Sequence, residues 1–148
     1  MAATGYHDTG EEWAQKHTYR QDQISRESSL DVLLYDDSTD DLADSDDIGD
    51  ISTEPDSGNY SRQSFDLDSS DVELTEEGGD VRATVTVTFD VTDTTETIDA
   101  YALVANFTSD VVGDASTAGN HLVTSATVEE RDLGQNDEVD VEVRLDLT

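Results

Sequence analysis

The chain of 148 residues has no cysteine, one proline, one tryptophan and one methionine, and only seven lysine and arginine side chains in all. Without cysteine there are no disulfides, no thiolate metal ligands and no thiol nucleophile, and the redox compartment leaves no mark. Nucleic acid and anionic membrane surfaces are gripped by clustered Lys and Arg, so neither is an expected partner. No apolar run approaches the roughly 18–20 residues that cross a bilayer. The opening MAATGYHDTGEEW has no apolar segment of the secretory kind, which predicts synthesis in the cytoplasm. His7, His17 and His121 alone make a poor zinc set.

What the chain does have is acid. Against seven cations stand 37 Asp and Glu, a net charge of −30, where small soluble domains usually sit near a magnitude of about 2–8. At about 1 M salt the Debye length falls to about 3 Å, and neighbouring surface carboxylates stop repelling one another. The composition therefore points to a protein built for very high salt, whose fold loosens when salt is withdrawn. High charge also marks unfolded chains, but from Val81 onward the acids alternate with β-branched and aromatic residues, as on a folded surface. A domain of this length can bury about 70% of the surface its unfolded chain exposes.

The acid is unevenly placed. Residues 1–29 hold Lys16, Arg20 and Arg26 against Asp8, Glu11, Glu12, Asp22 and Glu27, so nearly all of the excess lies beyond them. Thr9-Gly-Glu-Glu12 reads as a capping box, predicting a short helix from Glu11 to Arg20 with Trp13 and His17 on one face. We expect residues 1–29 to form a helical or extended docking arm. Trp13, Lys16, Tyr19 and Arg20 are its candidate interface residues; the alternative is that the arm packs back on its own domain as a lid.

Residues 30–148 read as an antiparallel all-β domain, a sandwich or jelly roll. Strands are predicted at Leu30–Tyr35, Phe65–Leu67, Val81–Val91, Ile98–Phe107, Leu122–Val128 and Val139–Leu147, with a turn at Glu76–Gly79 and a loop at Gly113–His121. Between Asp36 and Asn59 runs a long acidic loop, a length that is uncommon without internal order or function.

No constellation for catalysis emerges. Asp44-x-Asp46-x-Ile48-Gly49 starts like a calcium loop, but Ile48 holds the fifth ligand position and Pro55 the twelfth. No metal or cofactor is expected, and the loop's carboxylates read as a solvated face. His121 with Ser116 or Ser125 lacks the turn that presents a nucleophile, so no catalytic residue is assigned and the chain is not expected to be an enzyme. Asn59-Tyr-Ser61 and Asn106-Phe-Thr108 match the glycosylation triplet, Asn59 being the better candidate. The guanidinium of Arg62 can hold a carboxylate with two parallel bonds. With Tyr60 it is predicted to clasp the acidic loop where the strands resume, the alternative being an arginine that faces a neighbouring subunit.

These residues also carry a resemblance. LLYDD, an acidic spacer, and TEPDSGNYSRQSFDLDSS resemble a small structural protein of tailed viruses in which a Gly-Tyr-x-Arg-Gln segment enters a strand; here Asn59 stands between Gly58 and Tyr60. DAYALVANF and GNHLVTSATVEERDLGQNDEVDVEVRLDL resemble the ending of that group, so the similarity covers roughly residues 30–148. It implies a β-sandwich virion component without catalysis, of the capsid-decoration, turret or tail type. The expected partners are the major capsid protein or other virion proteins, with a homo-oligomer, a pentamer among the candidates, on the virion surface after synthesis in the host cytoplasm. The acidity adds a haloarchaeal host. The alternative is a tail or tail-tip adhesin for the host cell surface, although after Tyr101 only Phe107 is aromatic and could stack on sugar.

Overall fold

The computed structural model describes residues 5–20, 29–67, 71–112, 117–135 and 137–145. Strands dominate, in two antiparallel sheets. The first has five strands in the order β1 (Gly5–Tyr6), β7 (Thr117–Asp132), β6 (Thr97–Ser109), β2 (Ser29–Tyr35) and β3 (Gln63–Asp66). The second has three, β4 (Glu73–Glu77), β5 (Asp80–Asp90) and β8 (Glu138–Arg144). Among the described residues the fold is all-β apart from one true helix, α1 (Asp8–Tyr19), a single helical turn, α2 (Asp37–Asp40), and two 3-10 turns, Ile48–Asp50 and Leu133–Gln135.

Alternation explains the three-stranded sheet. Val85, Val87 and Phe89 of β5 and Val139, Val141 and Val143 of β8 are buried on one face, while Thr86, Thr88, Asp140 and Glu142 point to solvent on the other. The inner row joins Val32, Leu34, Tyr101, Leu103 and Val123 of the larger sheet in one hydrophobic cluster. β2 and β6 are apolar on both faces because both faces are covered: Leu33, Tyr35, Ala100, Ala102 and Val104 form a second cluster with Leu42 and Leu122. Its roof is the acidic loop, which lowers Leu42, Ile48 and Ile51 onto the sheet.

That loop is ordered by its own carboxylates. Asp36 caps α2 by accepting the Ser38 N–H at 3.1 Å, and Asp47 and Asp50 form a reciprocal capping box around a 3-10 turn at Ile48–Asp50. Asp40 accepts the hydroxyls of Ser52 and Thr53, each at 2.6 Å, and their N–H groups as well. Burial alone would push the Asp40 carboxyl up, but these donors outweigh it and hold it below the usual carboxylate range. The loop is a lid built from aspartates acting as backbone caps.

Several sequence expectations need correction. The predicted Gly113–His121 loop is strand from Thr117 on, since β7 continues through His121 to Asp132. β4 was not foreseen: Glu73–Glu77 is exposed throughout and shows no apolar alternation. The turn is narrower than Glu76–Gly79. Gly78 and Gly79 both adopt positive φ, 63° and 91°, the requirement of the two-residue hairpin turn that matches strand twist. β8 spans Glu138–Arg144 with a bend at Leu145, and the last residues of the predicted strand, 146 and 147, lie outside the described residues.

Candidate functional site

The N-terminal element is fastened to β7. β1 pairs Gly5 with Ser125 and Tyr6 with Thr124, and the His7 N–H donates to the Val123 carbonyl at 3.0 Å. Gly10 brings α1 so close that an added Cβ would stand 2.6–2.7 Å from the Val123 carbonyl carbon and Cα. Thr9, Gly10, Glu12, Trp13 and Lys16 form the buried face of α1, the i, i+3, i+4, i+7 stripe of a helix on a sheet. The expected capping box is not made, and the helix begins at Asp8 with His7 in the N-cap place. The Thr9 hydroxyl instead donates to the Leu122 carbonyl at 2.6 Å, and Glu12 turns toward the end of β6.

Glu12 is the centre of an ion cluster. Its carboxylate accepts from the Ser109 hydroxyl at 2.9 Å and the N–H groups of Asp110 and Val112 at 3.0 and 3.1 Å. Lys16 reaches Glu12 at 2.9 Å, Asp110 at 2.6 Å and the Thr108 carbonyl at 3.0 Å. Burial pushes Glu12 up, but the Lys16 ammonium and the three donors prevail and lower its pKa to about 2. For Lys16 burial works downward and is outweighed by Asp110 and Glu12, so the ammonium stays charged. An ammonium with three acceptors has no lone pair to offer; the cluster positions α1.

Beside it lies an open groove of about 720 Å³ between α1 and the 110–112 segment. Lys16, Tyr19 and Arg20, three of the four interface candidates, line it together with Asp8, Glu11 and Val111. Tyr19 is 76% exposed and Val111 73%. Trp13, the fourth, is only 7% exposed, packed in the main cluster with its ring 5.2 Å from that of His17. For residues 5–20 the chain thus takes the lid arrangement. Trp13 and Lys16 serve the domain itself, and Tyr19 and Arg20 face outward. The rest of the arm, residues 1–4 and 21–28, lies outside the described residues.

Tyr60 and Arg62 meet at Glu54. Arg62 donates to both Glu54 oxygens, Nε at 2.9 Å and Nη2 at 2.8 Å, and the Tyr60 hydroxyl donates to the same carboxylate at 2.9 Å. That hydroxyl also accepts the Leu34 N–H at 3.0 Å, and the Tyr60 ring stacks on Phe89 at 5.8 Å. One residue thus ties the loop to β2 and to β5. Burial, then the Glu54 charge, push the Tyr60 phenol well up, while the Glu54 hydrogen bonds raise the Arg62 guanidinium. Nothing in the sequence set Glu54 apart from its many acidic neighbours.

The histidine that meets Ser125 is His7. Its Nδ1 donates to the Ala43 carbonyl at 3.0 Å, and its Nε2 lies within hydrogen-bond distance of the Ser125 hydroxyl, at 2.8 Å. Both side chains are 0% exposed, so the pair is closed to any substrate and works as a tie between the N-terminal element, the acidic loop and β7. His121 Nδ1 lies 2.6 Å from Asp47, and its ring meets Phe107 edge-on at 5.0 Å. Ser116 lies outside the described residues. Asn59 is exposed beside Gly58, which has φ 62°, and its side-chain amide reaches Asp90 at 3.4 Å. Asn106 is exposed within β6, bonded to Asn120 at 3.2 Å. Among the described residues no group of three or more His, Asp and Glu is placed to hold a metal ion. Comparison with protein-family models, curated proteins and solved structures returns no match.

Proposed function

We propose that this chain is a non-catalytic structural component of a haloarchaeal tailed virus particle. The most economical role is a capsid-surface decoration or turret protein, with its two sheets packed as a β-sandwich. The reading of a sandwich is supported by the single cluster to which both sheets contribute. The assignment to a virion rests on the resemblance of residues 30–148, and the brine setting on the net charge of −30. The observation that carries docking is the groove, where Tyr19 and Val111 are exposed beside Arg20, with Asp8 and Glu11 also in its lining. In this reading the partner is a capsid or other virion protein that covers the outward side of α1, rather than an arm that unfolds from the domain. An adhesin role would instead place the recognition surface on loops.

Purified virions imaged at subunit resolution test the proposal. The chain is expected on the capsid surface with α1 turned toward the major capsid protein, and a Tyr19→Asp/Val111→Asp double variant should fold yet fail to be incorporated. Absence of the chain from virions, or normal incorporation of the folded double variant, would refute it. Location at the tail tip would favour the adhesin.

A further inference from the structure

The β4–β5 hairpin carries the inner face of the three-stranded sheet out of the core. Along β5 the inward row runs Phe89, Val87 and Val85, all buried, then Ala83, half-buried, and Val81, 65% exposed. Across the hairpin, Leu74 stands opposite Ala83 and Glu76 opposite Val81, and Leu74 is 69% exposed. No described strand pairs with the outer edge of β4. An open strand edge beside exposed apolar side chains is a template for pairing with another chain.

The charges decide what can pair there. If a second copy paired antiparallel about Thr75, Glu73 would face the copy's Glu77 twice over, and directly opposed like charges disfavour a strand pair. On its outward side Arg82 is already engaged, 3.0 Å from Glu77. We infer that the free edge of β4 is a strand-addition site for an extended segment of another protein that alternates apolar residues with Lys or Arg. Backbone pairing over a five-residue strand supplies a contact about 17 Å long. Cations opposite Glu73 and Glu77 set the register, and an apolar side chain opposite Leu74 extends cover over the Leu74–Val81 surface. In brine the charges are screened to a few ångströms, so they select the partner while backbone and apolar contacts hold it. The inference does not depend on the virion reading and involves a different surface from the α1 groove.

The test uses the full isotope-labelled chain in molar potassium chloride. The probe is the capped peptide Thr-Lys-Val-Thr-Val-Lys-Thr, compared with its Glu-for-Lys counterpart and with a version N-methylated at alternate residues. The Lys peptide should shift and protect amides of residues 73–77, and the Glu peptide should bind at least tenfold more weakly. The N-methylated peptide, and a Leu74→Thr/Val81→Thr variant that retains the hairpin's amide spectrum, should show little binding. No shift in 73–77 at millimolar peptide overturns the inference. So do equal responses to the Lys and N-methylated peptides, shifts scattered over the acidic surface, or an edge already protected in a concentration-dependent dimer.

Discussion

Gly10→Ala tests whether the N-terminal element belongs to the domain. Alanine is the best helix former and glycine among the worst, so on propensity alone the change stabilises α1 by about 1 kcal/mol. The contact with β7 opposes it. The new methyl would sit 2.6 and 2.7 Å from the Val123 carbonyl carbon and Cα, and closer still to the carbonyl oxygen. Carbon atoms prefer about 3.5–4.0 Å, so helix and strand must part by roughly 1 Å, and no rotamer change can help because the obstacle is backbone. That separation loosens the His7–Val123 and Thr9–Leu122 hydrogen bonds of 3.0 and 2.6 Å, worth about 1 kcal/mol each, and adds overpacking strain of about 1–3 kcal/mol. The net effect is a loss of about 2–4 kcal/mol, which for a domain near this size lowers Tm by about 5–15 °C. Thermal unfolding in molar potassium chloride measures it, with Trp13 emission shifting to the red as α1 lifts. Gly49→Ala is the control, because nothing lies within 4 Å of that Cβ. A Gly10→Ala protein with unchanged Tm and unchanged Trp13 emission would show that α1 does not rest on β7 as described.

Glu12, lowered from 4.5 to about 2, contributes stability that is fully present above its unfolded value and is lost as pH falls through that window, about 3 kcal/mol in all. The stability gap between the wild type and Glu12→Gln should therefore be widest above pH 4.5 and close toward pH 2, and a gap independent of pH would refute the ionic account. At the clasp, a double-mutant cycle of Glu54→Gln and Arg62→Ala should give a coupling of about 1–2 kcal/mol, between exposed and buried ion pairs because both are only partly exposed. Zero coupling would mean that the pair carries no energetic weight. On salt withdrawal, hydrogen exchange should quicken first in β5 and β8, where Asp90 and Glu138 stand directly opposite; simultaneous loss of protection in β2 and β6 would count against that order.

Legibility in the sequence followed the physics of each element. β5 and β8 were readable because one face is wet and the other dry, and β2 and β6 because residues apolar on both faces need two covers. β4 was invisible, since its five residues are all exposed and only its partner strand makes it a strand. The helix start was misread because Thr9 and Glu12, the right residues for a local cap, are engaged by Leu122 and by the 109–112 segment. The same limit hid the His7–Ser125 pair, whose members lie 118 residues apart. At the clasp the cation was findable because cations are scarce. Its acid was not, because acids are everywhere.

Two populations of carboxylate follow from the fold, and the proposal of a brine setting gives them different dependence on salt. Those of the loop, Asp36, Asp40, Asp47, Asp50 and Glu54, already hold N–H, hydroxyl or guanidinium donors at about hydrogen-bond distance, inside the ~3 Å over which molar salt screens. On the outer faces of β5 and β8, Thr86 stands opposite Glu142 and Thr88 opposite Asp140, the latter pair bonded at 2.6 Å, while Asp90 faces Glu138. The threonines dilute like-charge contact within the sheet, but they leave the long-range repulsion of the remaining carboxylates to the solvent. On the proposal of a brine setting, salt would serve the second population more than the first. On that proposal the bonded carboxylates of the acidic loop, the most conspicuously acidic stretch of the sequence, are the ones that salt would concern least.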